Sequence, residues 1–278
     1  MKSWKRVLAA GSSVLTLLVG CLTAFAVQEE IPELHMEVQC PDGWAVLKRS
    51  VEENDPNLSR LGVSREEVLE LFESSGIYLN AINMETYSEI VVTMADNDTS
   101  QRIYDLSLLS EQELKEMAED LLHTDFSEVT GMDGIHYDSY AAVEHPQATF
   151  LEYRGGINNE YQDTAVLQDF TIINGQHINI TLRNYSGTVT AQEEEQFRQM
   201  VASIRFTTVM EKPASGGLSA PAILSIAVVV ILMILFFAIG IIVRCKKKRE
   251  ALSASADAVA NSVGQTSGEV SEDREEKQ

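Results

Sequence analysis

One stretch constrains this chain more than any other: Pro221 to Val243 holds 23 residues without a single charge. A helix rises about 1.5 Å per residue, so that run would measure about 34 Å, enough to cross a hydrocarbon core of about 30 Å with some tilt. Pro221 stands at its start, where a missing N–H costs nothing. The run stops at Arg244-Cys245-Lys246-Lys247-Lys248-Arg249, five cations in six residues. Such a cluster stays on the cytoplasmic side. A buried core helix is rarely wholly apolar beyond about 14 residues, so the sequence predicts one transmembrane helix over 221–243, with the lipid bilayer as a partner. The cations would attract anionic headgroups by about 1 kcal/mol each. Cys245 within them reads as an ordinary juxtamembrane residue. The rest of 244–278 is rich in Ala, Ser and Glu and lacks aromatics, which predicts a disordered cytoplasmic tail. It is too short for a kinase or cyclase domain.

Residues 1–26 read as a signal peptide. Lys2, Lys5 and Arg6 precede the uncharged stretch Val7 to Val19, and Ala24-Phe25-Ala26 has the small-x-small cleavage pattern. Leu18-Val19-Gly20-Cys21 also resembles a lipobox that would place a lipid on Cys21. Apolar Leu22 after the cysteine, and the need for only one anchor, favour simple cleavage before Val27. The expected topology is single-pass, with the N-terminal domain outside the cell membrane and the tail inside. Charge follows the same division: 27–215 carries 35 acidic and 11 basic residues, within a chain whose net charge is −21. An acidic surface of that size repels phosphate backbones and excludes nucleic acid as a partner.

The expected domain boundaries are 27–210 for one extracytoplasmic domain and 211–220 for a Pro/Ser/Gly stalk. Lys212-Pro213-Ala214-Ser215-Gly216 departs from a sortase signal, since lysine and serine stand where that motif has leucine and threonine. A flexible stalk is the better reading. Three helix starts share a hydroxyl cap with Glu three positions on: Ser64/Glu67, Ser110/Glu113 and Thr190/Glu193. Each precedes apolar residues at i, i+3, i+4 spacing, such as Phe197, Met200, Val201 and Ile204. Strand-like runs are Met36–Cys40, Trp44–Lys48, Ile77–Ile82, Glu89–Met94, Ala148–Tyr153, Thr164–Ile173, Ile178–Arg183 and Ser203–Thr207. Pro41-Asp42-Gly43 separates the first two. Asn174-Gly175 is a two-residue hairpin signal, because both positions tolerate positive φ. The fold class is therefore α+β, a mainly antiparallel sheet with helices packed on it.

Some of these segments resemble a known family. Glu195-Gln196-Phe197 through Met200–Phe206 is similar to the last helix and strand of PsbP-like α/β/α sandwiches, and Cys40-Pro41-Asp42-Gly43-Trp44 to their first hairpin. Leu61-Gly62-Val63-Ser64 through Ile77–Ala81 resembles uncharacterised single-span surface proteins of clostridia-like Gram-positive bacteria. The likeness spans about residues 34–208. It implies a fold and no activity, because that fold serves unrelated functions.

Catalytic motifs are sparse. His35, His123, His136, His145 and His177 form no H-E-x-x-H zinc pair, and the chain has no nucleophile elbow, P-loop or dinucleotide fingerprint. His136 with Asp138, or His123 with Asp125, could do acid–base work, although solvated loops account for both pairs. Asp96-Asn97-Asp98-Thr99-Ser100 starts like a calcium loop but lacks its glycine and closing glutamate, so a β-turn between strand and helix is expected. Cys40, the one extracytoplasmic cysteine after cleavage, alternates with Met36 and Val38 and is expected in the core. Four N-x-S/T sequons occur at Asn57, Asn97, Asn179 and Asn184, and are coincidental in a bacterial chain. No catalytic, cofactor or metal residue is assigned. The expected function is a binding or structural module of the cell envelope, contacting another envelope protein or a peptide. The alternative is a surface hydrolase with a loop-built active site.

Overall fold

The computed structural model describes residues 27–127, 133–160 and 162–213. The expected signal peptide, the run 221–243 and the tail 244–278 lie outside these residues. Among the described residues no helix is long and apolar enough to cross a membrane.

Among the described residues ten strands and five α-helices follow in chain order: β1 Val27–Ile31, β2 Met36–Cys40, β3 Ala45–Lys48, α1 Pro56–Leu61, α2 Arg65–Ser74, β4 Ile77–Asn83, β5 Ser88–Ala95, α3 Asp98–Ile103, α4 Glu111–Leu122, β6 Ile135–His145, β7 Ala148–Asn159, β8 Gln162–Ile173, β9 Gln176–Asn184, α5 Ala191–Ala202 and β10 Arg205–Phe206. Seven strands make one antiparallel sheet in the order β3-β4-β5-β9-β8-β7-β6, and β1-β2-β10 make a second, smaller one. The α+β class with antiparallel pairing is as expected.

All three capping boxes form. The hydroxyls of Ser64, Ser110 and Thr190 accept from the backbone N–H three residues on, and Glu67, Glu113 and Glu193 accept in return from the cap N–H. The Asn174-Gly175 turn has φ of 55° and 77° and joins β8 to β9.

Three expectations need correction. β2 and β3 do not form a first hairpin: after Pro41-Asp42-Gly43 the chain passes from the small sheet to the large one, where β3 pairs with β4. Asp96–Ser100 is no simple turn. Asn97 caps α3 by accepting from Ser100 N–H, and Ser100 Oγ closes a capping box. The closing strand shrinks to Arg205–Phe206 because Ser203 ends α5, its N–H bonding back to the Gln199 carbonyl.

The large sheet is covered on both faces. On one, Ile90, Val92, Leu167, Ile178, Ile180 and Leu182 meet Phe197, Met200 and Val201 of α5 and Met36, Val38 and Cys40 of the small sheet. On the other, two separate cores form. Leu58, Leu61, Val68 and Phe72 of α1 and α2 pack on Ala45, Leu47, Ile82 and Val91. Ala118 and Leu121 of α4, with Leu106 and Phe126, pack on Leu151, Tyr153, Phe170 and Ile172. The two cores sit over opposite halves of the sheet, and the central strands between them carry something else.

Candidate functional site

Alternation along β9 explains what the centre carries. Ile178, Ile180 and Leu182 face α5, so His177, Asn179, Thr181 and Arg183 must face the other way. In the antiparallel register Thr93 lies opposite Asn179, Glu89 opposite Arg183, and Gln168 opposite Thr181. Asn80 on β4 lies on the same face, opposite Val91. Such alternation ordinarily marks a solvated face. Here every one of these polar side chains is buried, none more than 7% exposed.

The buried belt is partly wired together. Arg183 donates to Glu89 (Nη1 to Oε1, 3.1 Å), Tyr185 Oη donates to the same oxygen at 2.5 Å, and Asn80 Nδ2 donates to Glu89 Oε2 at 3.1 Å. Burial, and then the charge of Glu89, raise the Tyr185 hydroxyl well above its ordinary range, which keeps it a donor. Tyr137 Oη donates to Gln168 Oε1 (2.7 Å), and Gln168 Nε2 donates to Asn179 Oδ1 (2.9 Å). Other atoms of the belt find no hydrogen-bond partner among the described residues: Asn80 Oδ1, Thr93 Oγ1, Asn179 Nδ2 and both ring nitrogens of His177. Burial lowers the His177 pKa to about 4, so the ring is neutral. Buried polar atoms in native proteins are nearly always bonded, and this concentration on one face marks the belt as a place for polar contacts.

The belt reaches the surface at one end. Tyr137, Ile157 and Val166 flank a cleft of about 20 Å³, with Gln168, Thr181 and Arg183 also lining it. That holds one or two waters or a methyl-sized group. The neighbouring Gly155-Gly156 lets three strands crowd together, since a Cβ on Gly156 would stand 2.6 Å from the Thr164 carbonyl oxygen. β6 beside the cleft is an edge strand with β7 as its one neighbour among the described residues.

A second polar cluster lies on the opposite face under α5. Glu152 and Asp169 stand directly opposite each other on β7 and β8. Arg198 bonds Glu152 at 3.2 Å, Arg154 holds Glu194 by two bonds (3.1 and 2.5 Å), and Arg198 also reaches Glu194 at 3.2 Å. Asp169 is 2% exposed, and its Oδ1 has no partner among the described residues. Burial, and then the Glu152 charge, push its pKa up to about 7 against the pull of Arg198 and Arg154. This cluster can hold a proton near neutrality.

Of the acid–base candidates weighed from sequence, His136 lines the cleft. His136 Nε2 and Asp138 Oδ1 stand 3.8 Å apart on exposed β6, outside hydrogen-bond range. His123 ends α4, and Asp125 accepts from Ser127. No group of three metal-ligating side chains occurs among the described residues. Cys40 is 1% exposed, and burial with the nearby Glu29 charge raises its pKa to about 12 despite Lys48. All four sequon asparagines are tied into the fold. Asn57 donates to Val46, Asn97 caps α3, Asn179 accepts from Gln168, and Asn184 donates to Ser88 and Glu193. Sequence reasoning missed the belt because its polar residues are scattered over β4, β5, β8 and β9. The alternation of β9 signalled one polar face; its burial was not readable.

No protein-family model matches the chain, and no curated protein matches it. Solved structures are similar to it at low identity. The chain is similar to cyanobacterial PsbP (CyanoP) from Synechocystis sp. PCC 6803, at 10% identity and TM-score 0.39, over 67% of this chain and 96% of that one. It is also similar to LpqN, involved in cell envelope biogenesis of Mycobacterium tuberculosis, at 11% identity and TM-score 0.34, over 61% and 81%. A third is PA94 of Pseudomonas aeruginosa, a protein of unknown function and putative regulator, at 10% identity and TM-score 0.29, over 68% and 98%. Likeness at this level assigns no function.

Proposed function

We propose that this chain is a membrane-anchored, extracytoplasmic binding module of the cell envelope whose partner is a polypeptide. Its placement rests on the signal-like start and the uncharged run stopped by cations. The observation that carries binding is the buried polar belt that surfaces beside an open sheet edge. The cleft is far smaller than the roughly 300–1,000 Å³ of a small-molecule pocket, so a drug-sized ligand is a poor fit. An extended segment laid along β6 would find backbone donors and acceptors on the edge and a foothold for one small side chain in the cleft. Partner carboxylates would be repelled by the acidic surface, which favours neutral or basic segments.

The test is a photo-reactive amino acid placed at Ala141 on β6 of the full chain in its own cells, with Glu66 on α2 as the control position. Adducts from Ala141 and none from Glu66 support the reading; equal yields at both positions, or none from Ala141, refute it. The hydrolase alternative has one observation in its favour, the Glu152–Asp169 pair with one proton held near neutrality, a pattern that acid–base enzymes use. That pair lies on strands beneath α5, not on loops. A hydrolytic activity abolished by Asp169→Asn would favour the alternative.

A further inference from the structure

The domain has two poles, and the descending chain leaves from one of them. Residues after β10 are strapped along the β8–β9 turn. Asn174 Nδ2 donates to the Thr208 carbonyl (2.9 Å), Met210 N–H donates to Asn174 Oδ1 (2.7 Å), and Lys212 Nζ donates to the Arg102 carbonyl at the end of α3 (2.5 Å). Gly175 N–H donates to the Tyr104 carbonyl at 2.8 Å, which brings the Leu106–Leu108 turn to the same pole. Here large apolar side chains stand exposed: Leu108 at 59%, Val209 at 51% and Met210 at 47%. The other large apolar residues exposed among those described stand singly, Tyr87 in the β4–β5 turn and Val27 at the start of β1.

We infer that this pole is a membrane-contact surface, occupied by the bilayer in which the same chain is anchored, so that the cleft opens away from the membrane. This rests on the anchored reading given above. From Pro213 to Pro221 the chain has eight steps, at most about 28 Å when fully extended. The pole therefore stays within that reach of the headgroups. The apolar trio prefers the boundary between headgroups and acyl chains to water. β8 and β9 run from this turn toward the opposite pole, and the cleft residue Arg183 lies seven positions beyond Gln176. At about 3.3 Å per residue, that sets the mouth roughly 23 Å along the strand from the strap. The surface that binds is thus presented to partners outside the membrane and withheld from neighbouring spans and lipid.

The experiment uses the full chain, with Cys21→Ser and Cys245→Ser, reconstituted in phosphatidylcholine vesicles that contain a nitroxide-labelled lipid. Cys40 is buried and supplies little background labelling. One sample carries a fluorophore at Leu108→Cys, the other at Glu85→Cys in the β4–β5 turn. The expected result is quenching several-fold stronger at position 108, reduced toward the level at position 85 when Val209→Asp and Met210→Asp are added. Equal or stronger quenching at position 85 overturns the assignment of the pole. Unchanged quenching in the Asp variants overturns the apolar contact. Failure of the chain to float with the vesicles overturns the anchored reading itself, a result distinct from the other two.

Discussion

Two of the buried titratable residues, His177 and Asp169, pull the stability of this fold in opposite directions. The Asp169 pKa rises from near 3.8 to about 7 on folding, so the folded chain keeps a proton that the unfolded chain releases. Stability from this residue is greatest at low pH and falls as pH rises from about 4 to 7. The charges facing it are Glu152 and Arg154 on β7 with Glu194 and Arg198 on α5. The His177 pKa drops from 6.5 to about 4, so the unfolded chain takes up a proton first as pH falls. Its contribution is complete above 6.5 and is lost toward 4. Between these values the two slopes oppose each other. Asp169→Asn should therefore expose a melting temperature that climbs with pH from 4 to 6.5, at a rate bounded by about 1.4 kcal/mol per pH unit for one proton. Thermal unfolding across pH checks it; an unchanged profile contradicts the burial assigned to Asp169. The Glu89–Arg183 pair gives a second expectation. Glu89→Ala removes the carboxylate that balances a buried guanidinium and should cost about 3–5 kcal/mol in urea unfolding, whereas replacing both partners with apolar residues should cost much less. None of this was visible in the sequence, where Asp169 and Glu89 are ordinary acids in an acidic chain and only the register buries them.

At the scale of elements, sequence and structure agree where the physics is local. The three capping boxes, the Asn174-Gly175 turn and the cores of seven strands were legible because each depends on a few neighbouring residues. β1 and β6 were not. β6 is an edge strand whose residues are all exposed or half-buried, and a register shift between Tyr137 and Ser139 breaks the alternation that Ile135 and Tyr137 begin. β2 and β3 looked like a hairpin because a turn separates them, and nothing local says that they join different sheets. One motif also does unequal work. Glu113 caps α4 on an exposed surface, while Glu193 caps α5 and is buried, accepting also from Ser88 and Asn184. Glu193→Ala should cost about 2 kcal/mol or more, because it removes the reciprocal half of the capping box and a buried acceptor shared by Ser88 on β5 and Asn184 on β9. Glu113→Ala should cost less. Parallel urea titrations check the order, and equal losses would contradict the anchoring of α5 through Glu193. Gly156→Ala belongs to this scale as well. Its Cβ would press on the Thr164 carbonyl, and the expected outcome is loss of stability together with loss of adducts from Ala141.

For the whole molecule, the features work as one arrangement. In the proposed placement the chain leaves for its anchor from the pole that exposes Leu108, Val209 and Met210, the nine-residue β9 rises from that pole, and a polar belt surfaces at the far end beside an open edge. The acidic excess sits on the part assigned to the outside, in keeping with a module that meets its partner away from anionic lipid and the cytosol. All of this depends on the side of the membrane on which the folded domain stands. Protease added to intact cells measures that directly. The account predicts that residues 27–213 are digested from outside while a fragment containing 221–278 survives in the membrane. A domain that stays intact until the cells are permeabilised would contradict it.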